Sequence, residues 1–134
     1  MNRDMDDQEL MEAAREVAER AYSPYSHVRV GAALVDEDGR VHLGCNVESA
    51  SYGATLCAER TALVAAVATG ARSFSRLAIW ASPQARLMPC GICRQSLAEF
   101  GLELEIFVAS SGAEAERYTL AELLPGAVRG EHLR

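Results

Sequence analysis

The chain has 134 residues, 13 basic and 19 acidic, with a formal net charge of -6, and this length predicts a single domain over residues 1–134. Every basic residue is arginine, so the chain cannot form a lysine Schiff base, hold pyridoxal phosphate covalently or build a phosphate loop that requires lysine. The negative charge argues against binding to nucleic acid phosphates, and we expect a small-molecule ligand instead.

The beginning of the chain is acidic and lacks the apolar region of a secretion signal, and no run approaches the ~18 apolar residues of a membrane span. We therefore predict a cytoplasmic protein with no membrane partner. In that reducing compartment the cysteines are expected to be thiols or metal ligands. In a secreted protein, four cysteines would instead allow three disulfide pairings.

The spacing of apolar residues predicts helices and strands in alternation. In chain order, we expect a helix from 6 or 7 to 21, strands 28–35 and 40–47, a helix 56–69, a strand 77–81, a helix 91–100, a strand 104–109, a short strand 117–119 and a stub helix ending at Pro125. The helix 56–69 is apolar on almost every face, which is typical of a helix buried all round.

The order of these elements predicts the fold. The turn-forming run Asp36-Glu37-Asp38-Gly39 favours an antiparallel hairpin between the first two strands. The two strand–helix–strand units that follow favour parallel pairing through right-handed crossovers. We expect an α/β protein, a three-layer α/β/α sandwich with a mixed five-stranded sheet between helices.

Three of the four cysteines fall at the predicted starts of two helices. Cys90 and Cys93 are three residues apart and share a helical face, and Cys57 opens the preceding helix. Because a helix N-terminus carries about half a positive charge, it favours the thiolate form that a metal requires. The pattern predicts one zinc ion held by these three sulfurs. Cys45 is either a fourth ligand, which would make the zinc structural rather than catalytic, or a small buried thiol.

Charged residues accompany the cysteines. Glu59 lies two residues after Cys57, about 200° round an ideal helix, which is badly placed for the same tetrahedron. It is the candidate acid–base group that moves protons between water and a leaving nitrogen, and otherwise a first-turn glutamate favoured by the helix dipole. Three thiolates on one divalent ion leave a negative charge, which Arg60, or in reserve Arg94, would offset if it is not simply solvated.

These motifs resemble the small homotetrameric cytidine deaminases of nucleoside salvage, in the branch with three cysteine ligands. The resemblance runs from about Tyr22 to Pro125. The motifs that carry it are Pro24-Tyr25-Ser26-His27, Val30-Gly31-Ala32-Ala33-Leu34, Gly44-Cys45-Asn46-Val47-Glu48, Cys57-Ala58-Glu59-Arg60-Thr61-Ala62, Pro89-Cys90-Gly91-Ile92-Cys93-Arg94-Gln95 and Glu122-Leu123-Leu124-Pro125.

The resemblance implies hydrolytic deamination of free cytidine and 2'-deoxycytidine to the uridines plus ammonia. It implies one Zn²⁺ per subunit on the three cysteines, Glu59 as proton shuttle, and a homotetramer with sites near subunit interfaces. It also implies that Asn46 and Glu48 bind the ribose 3'-hydroxyl and that the backbone of Ala58 contacts the edge of the pyrimidine. Ala50 and Tyr52 match positions that enter the site of a neighbouring subunit in the family's tetramer. Because Asn46 and Glu48 stand two apart at a strand end, both side chains can point the same way, unless they are simply polar loop residues.

The sequence departs from this family around the base. Val28 stands where relatives usually have a phenylalanine against the base, Val128 where they often have another, and Ser49 replaces a frequent asparagine. Each missing aromatic contact is worth ~0.5–1.5 kcal/mol beyond its buried area, so we expect a base pocket that is roomier or that binds the base more weakly. Val28 and Val128 leave open a deaminase of a modified or larger cytosine nucleoside such as blasticidin S. A separate alternative is a non-catalytic binding module stabilised by zinc, with Cys45 as the fourth ligand.

Overall fold

The computed structural model describes residues 5–83, 88–111 and 114–133. Residues 1–4, which contribute to the acidic beginning of the chain, lie outside the described residues. The helices and strands are α1 Asp7–Ala18, β1 Arg29–Asp36, β2 Val41–Cys45, α2 Ala58–Ala68, β3 Phe74–Ser82, α3 Gly91–Ala98, β4 Glu105–Ser110, β5 Glu116–Thr119 and α4 Leu120–Leu123. Short 3-10 turns span Tyr52–Ala54 and Gly130–Leu133.

The five strands form the predicted mixed sheet, in the order β2-β1-β3-β4-β5. The hairpin of β1 with β2 and the parallel pairing of β3 with β4 across α3 are confirmed. The predicted parallel pairing across α2 is wrong, because β1 lies between β2 and β3 and pairs antiparallel with both. The run from Gly31 to Asp36 in β1 is buried, which suits a strand covered on both faces at the centre of a sheet.

Helices cover both faces of the sheet, which confirms the layered architecture. On one face, Leu10 and Ala14 of α1 pack with Ala33 and Phe107. On the other, α2, α3 and α4 bury a larger aliphatic core whose fully buried members include Leu34, Leu77, Ile79, Ile106 and Leu120. Among the described residues, no helix combines the length and the apolar character that crossing a bilayer requires.

Two glycines let helices lie close to the sheet. A Cβ at Gly44 would stand 2.3 Å from the Ala62 amide nitrogen and 2.6 Å from the Ala58 carbonyl oxygen, so only glycine allows α2 to approach β2 this closely. Gly31 has the same relation to α1, since a Cβ there would lie 1.9 Å from the Ala14 carbonyl oxygen. The contact at Gly44 fixes where α2 begins, and with it the position of the first cysteine.

Several element ends differ from the prediction. α1 stops at Ala18 rather than 21, because the Tyr22 amide leaves the helix and donates to the Asn46 carbonyl at 3.0 Å. α2 begins at Ala58 rather than 56, because Leu56 pairs with Val47 in an antiparallel bridge. The expectation that α2 is buried all round is wrong: Val64 on its outer face is 58% exposed.

Candidate active site

Three cysteine sulfurs converge where α2 and α3 begin. The Sγ atoms of Cys57, Cys90 and Cys93 all lie within 4.8 Å of one another. The Cys57 and Cys90 sulfurs are 3.8 Å apart, and the Cys90 and Cys93 sulfurs 3.4 Å. Two sulfurs at about 2.3 Å from one tetrahedral zinc ion are separated by about 3.8 Å, so the cluster has the dimensions of a zinc site.

Local helix geometry explains this convergence. Cys57 is the N-cap of α2 and Cys90 the N-cap of α3, and neither side chain is used to cap its own helix. Cys93 lies in the first turn of α3 and is fully buried. Each sulfur therefore stands at the positive end of a helix dipole, where a thiolate is favoured and the side chain remains available to a cation.

The protonation of the cluster suits a cation. The pKa of the Cys57 thiol falls to about 5, because its sulfur accepts hydrogen bonds from Cys93 and Cys90 and faces the Arg60 guanidinium. The interaction with Cys57, together with burial, raises the pKa of Cys93. Without a bound cation the sulfurs thus share negative charge and protons, and a divalent ion would displace the remaining protons.

Arg60 is placed to offset the charge of the cluster. Its Nη2 donates to the Thr55 carbonyl at 2.9 Å, while its Nε is buried without a hydrogen-bond partner. Burial lowers the pKa of Arg60, but hydrogen bonds to Cys57 and Cys93 outweigh it and hold the pKa above its usual value. A guanidinium that lies beside sulfurs, with one buried N–H lacking an oxygen acceptor, is the arrangement expected if the sulfurs are anionic thiolates.

Arg94 has a different environment from the one expected of a reserve cation. Its Nε donates to the Pro89 carbonyl and its Nη1 to the Leu123 carbonyl, both at 2.7 Å. The side chain therefore ties the segment before Cys90 to the end of α4. This bridge from Arg94 to two backbone carbonyls carries no signal in the sequence, because it depends on how α4 packs against the start of α3.

Cys45 lies outside the sulfur cluster. Within the described part of the chain, the group of side chains close enough to share an ion contains the other three cysteines and not this one. Its thiol is partly buried, and burial raises its pKa. The hypothesis that Cys45 completes a four-sulfur structural site is therefore wrong, since the thiol is held away from the cluster at the end of β2.

Glu59 stands beside the cluster and is 4% exposed. Burial raises the pKa of its carboxyl group to about 7, and the negative charge of Cys57 acts in the same direction. A carboxyl group with a pKa near neutrality can both accept and deliver a proton. The position is the one the sequence predicts, next to the cysteines on the first turn of α2.

A cavity of about 320 Å³ opens over Glu59 and the cysteines. Its floor is polar, with Cys57, Glu59 and Cys90, and the fully buried Ala58 lies between them. Its apolar walls are formed by Val28, Val30, Leu56, Ile79 and Met88. Such a cavity suits a planar ring with polar edges. The sequence predicted Val28 at this site but not Ile79 or Met88. In the sequence, Ile79 is an ordinary apolar strand residue and Met88 only precedes Pro89-Cys90, so neither pattern indicates a cavity wall.

Asn46 and Glu48 line two neighbouring cavities rather than one. Asn46 lines the cavity over the cysteines, and Glu48 lines a second cavity of about 440 Å³. Ser26 and Thr55 line both. Asn46 donates from Nδ2 to the Val28 carbonyl at 2.8 Å and accepts at Oδ1 from the Val30 amide at 2.8 Å.

Glu48 is held by the segment that precedes β1. Its Oε1 accepts from the amides of Tyr25 at 3.0 Å and Ser26 at 3.1 Å, and its Oε2 accepts from the Ser26 hydroxyl. These hydrogen bonds, that of the Ser26 hydroxyl first, hold the pKa of Glu48 below its usual value. Both residues expected to bind a sugar hydroxyl thus also organise the protein's own backbone.

The remaining predicted residues lie at the surface. Tyr52 is 78% exposed beside the second cavity, with its ring edge-on to Tyr25 at 6.4 Å between centroids. Ala50 is exposed in the loop before it. Val128 is also exposed, and its carbonyl accepts from Gln95 Nε2 at 2.8 Å. Within this one chain, none of the three reaches the cavity over the cysteines.

Comparison with known proteins gives a consistent result. The sequence profile of the cytidine and deoxycytidylate deaminase zinc-binding region matches residues 4–109. A cytidine deaminase from Sporosarcina psychrophila is 44% identical over 130 residues, which cover 96% of each chain. The crystal structure of cytidine deaminase from Burkholderia pseudomallei superposes with a TM-score of 0.88 at 44% identity, over 92% of this chain and 100% of that one. A blasticidin-S deaminase from Bacillus cereus is 27% identical over 127 residues, 89% of each chain.

Proposed function

The chain belongs to the family of zinc-binding cytidine and deoxycytidylate deaminases, and we propose that it deaminates free cytidine and 2'-deoxycytidine to uridine and 2'-deoxyuridine, releasing ammonia. One observation carries this proposal: three sulfurs are spaced for a zinc ion, and two of them, Cys57 and Cys90, form the floor of a cavity with apolar walls together with the buried carboxyl group of Glu59. The reaction is a hydrolysis, in which water supplies the oxygen that replaces the amino group at C4 of the pyrimidine.

Cys57, Cys90 and Cys93 would hold the zinc ion, which when bound acts as a Lewis acid and activates water near neutral pH. Arg60, beside two of these sulfurs, reduces the net negative charge of the cluster. A less negative cluster withdraws electrons more strongly from water, so Arg60 supports the chemistry without touching the substrate.

Glu59 moves the protons. Its carboxylate takes a proton from water and delivers it to N3 of the ring, where it stays in the product. It then carries a second proton to the amino nitrogen, so that ammonia leaves as the bond to C4 breaks. Two protons and one oxygen from water are thereby accounted for, and Glu59 returns to its starting state.

Asn46 and Glu48 have hydrogen-bonding capacity left for a ribose 3'-hydroxyl. Nδ2 of Asn46 carries two protons, and the Val28 carbonyl takes one of them. Oε2 of Glu48 accepts from Ser26 and retains a lone pair. The hydroxyl would accept from Asn46 and donate to Glu48, while the Ala58 backbone meets the edge of the pyrimidine and Val28 packs against its face.

We propose that four copies of the chain assemble, with the sites near their interfaces. Val64 of α2 is 58% exposed and Ile92 of α3 is 64% exposed, and apolar side chains on adjacent helices are typical of a buried interface. Packing against another copy would also give Ala50 and Tyr52 a neighbouring cavity to enter. Light scattering on the purified protein tests this, and a monomer at micromolar concentration would contradict it.

The setting we propose is the cytoplasm, in pyrimidine salvage, with the whole chain acting as one catalytic domain. The net charge of -6 supports a free nucleoside as substrate rather than nucleic acid. A single-stranded oligonucleotide containing cytosine should therefore remain unmodified under conditions that fully convert cytidine.

The test of the proposed function is a substrate panel with metal analysis. Purified protein should contain one zinc ion per chain, convert cytidine and 2'-deoxycytidine with loss of their absorbance, and release one ammonia for each. Protein that contains zinc and converts neither nucleoside would overturn the proposal.

A second substrate class deserves the same panel because valine, a small side chain, occupies position 28 in the cavity wall. The likeness to a blasticidin-S deaminase points in the same direction. Blasticidin S should compete poorly with cytidine, since its altered sugar does not offer Glu48 the ribose hydroxyl that we propose it binds. Preferred turnover of blasticidin S would reverse the order of the two hypotheses.

A further inference from the structure

The segment 25–30 forms one wall of the cavity, and side chains hold much of it in place. Ahead of β1, the amide of Val28 donates to the Ser26 hydroxyl at 3.1 Å and its carbonyl accepts from Asn46. His27 has a φ of 62°, a left-handed conformation that persists only where neighbouring contacts enforce it. The position of Val28 against the base therefore depends on these polar contacts.

Ser26 occupies a special place among them. Its hydroxyl donates to Oε2 of Glu48 and accepts from the Val28 amide, so one oxygen joins the carboxylate of one cavity to the wall of the other. Thr55 also lines both cavities, but its hydroxyl oxygen accepts from the Ser49 amide and makes no such connection.

We propose that Ser26 is a positioning residue that couples recognition of the sugar at Glu48 to the placement of Val28 against the base. The proposal rests on the proposed function, in which Glu48 accepts from the ribose 3'-hydroxyl. A hydroxyl donor fixes the orientation of the carboxylate. Because the Ser26 hydroxyl donates its proton to the Glu48 carboxylate, a lone pair of the same oxygen remains free to accept from the Val28 amide.

Coupling of this kind has a kinetic signature. Binding energy from a part of the substrate remote from the reaction is used to order the site around the reacting ring, so its loss lowers kcat as well as raising KM. A nucleoside without the 3'-hydroxyl should therefore react slowly even at saturation. The sugar end of the site then selects for complete nucleosides through the rate of the chemical step.

The experiment is a cycle of two substrates and two enzymes. In the unsubstituted protein, 2',3'-dideoxycytidine should have a kcat/KM on the order of 10- to 100-fold below that of 2'-deoxycytidine, the range for one hydrogen bond to a charged group. In Ser26→Ala this ratio should shrink to less than about threefold, because the substitution slows the complete substrate and spares the truncated one. Ser26→Thr, which keeps the hydroxyl, should restore the ratio.

The controls separate coupling from general damage. Ser75→Ala changes an exposed serine at the start of β3 and should leave both substrates unaffected. If Ser26→Ala slows both substrates by the same factor, Ser26 is only structural and the inference fails. Ser26→Cys, with similar size and a weak donor, provides the same comparison if the alanine variant is unstable. Failure of the unsubstituted protein to convert 2'-deoxycytidine would instead defeat the proposed function.

Discussion

The two ends of the substrate site are built in different ways. At the metal end, the sulfurs and Glu59 come from the N-caps and first turns of α2 and α3, so regular helices fix their positions. At the sugar end, Asn46 and Glu48 follow β2 and hold the segment 25–30 by side-chain hydrogen bonds. The groups at the metal end are thus separate from the contacts that hold the scaffold, whereas at the sugar end the side chains that we propose to bind the sugar also hold the segment 25–30. Substitutions should reveal this difference.

The largest effect is expected from removing a sulfur ligand. Cys90→Ala should reduce the zinc content from one ion per chain to near zero and lower kcat/KM on the order of 10⁴-fold, because metal activation contributes several kcal/mol. Metal analysis and steady-state kinetics measure both quantities. Cys45→Ala is the matched control: its thiol lies outside the cluster, and the variant should keep its zinc. Loss of zinc from the control would show that the cluster has four members.

Glu59→Gln should have the next largest effect, and it should lower the reaction rate without lowering the stability of the fold. The amide cannot carry a proton, so kcat should fall on the order of 10²- to 10⁴-fold. Zinc content and the free energy of unfolding should be retained or improved, since a buried carboxyl group is replaced by a neutral isostere. Near-normal turnover in this variant would remove Glu59 from its role.

The same difference explains what the sequence could predict. Helix starts, cysteine spacing and the hairpin turn are local patterns, so the sulfur cluster, Glu59 and most elements of the fold were predictable. The place of β1 between β2 and β3 was not, because it depends on which strand is buried on both faces. The contacts of Ser26 with the Glu48 carboxylate and of Arg94 with the Leu123 carbonyl were not predictable either, because each joins residues that are distant in sequence.

Asn46→Ala should show the mixed behaviour of the sugar end. The substitution leaves the Val28 carbonyl and the Val30 amide without their partner, at a cost of about 1–3 kcal/mol in the free energy of unfolding. The kcat/KM should fall as well, because the cavity wall and the sugar contact are lost together. Urea unfolding and kinetics on the same preparation test the pairing. A rate loss at unchanged stability would show that Asn46 serves the substrate alone.

The smallest effect is expected at the turn of the β1–β2 hairpin, where Asp36 lines neither cavity. Burial raises the pKa of Asp36, but hydrogen bonds from His42 and from the amides of Arg40 and Asp38 outweigh it and hold the pKa below its usual value of 3.8. A lowered carboxyl pKa stabilises the fold fully above pH 3.8, and this contribution is lost as the pH falls through the folded-state pKa.

Asp36→Asn should therefore flatten the decline of unfolding free energy below pH 3.8 while leaving kcat at neutral pH unchanged. Thermal unfolding followed across acid pH measures the first quantity, and the deaminase assay the second. Asp36 and His42 line neither cavity, so a change in stability without a change in rate is the result expected of a purely structural contact. If the rate fell in parallel with stability here too, the mixed behaviour of Asn46 would reflect general loosening, and the distinction between the two ends of the site would fail.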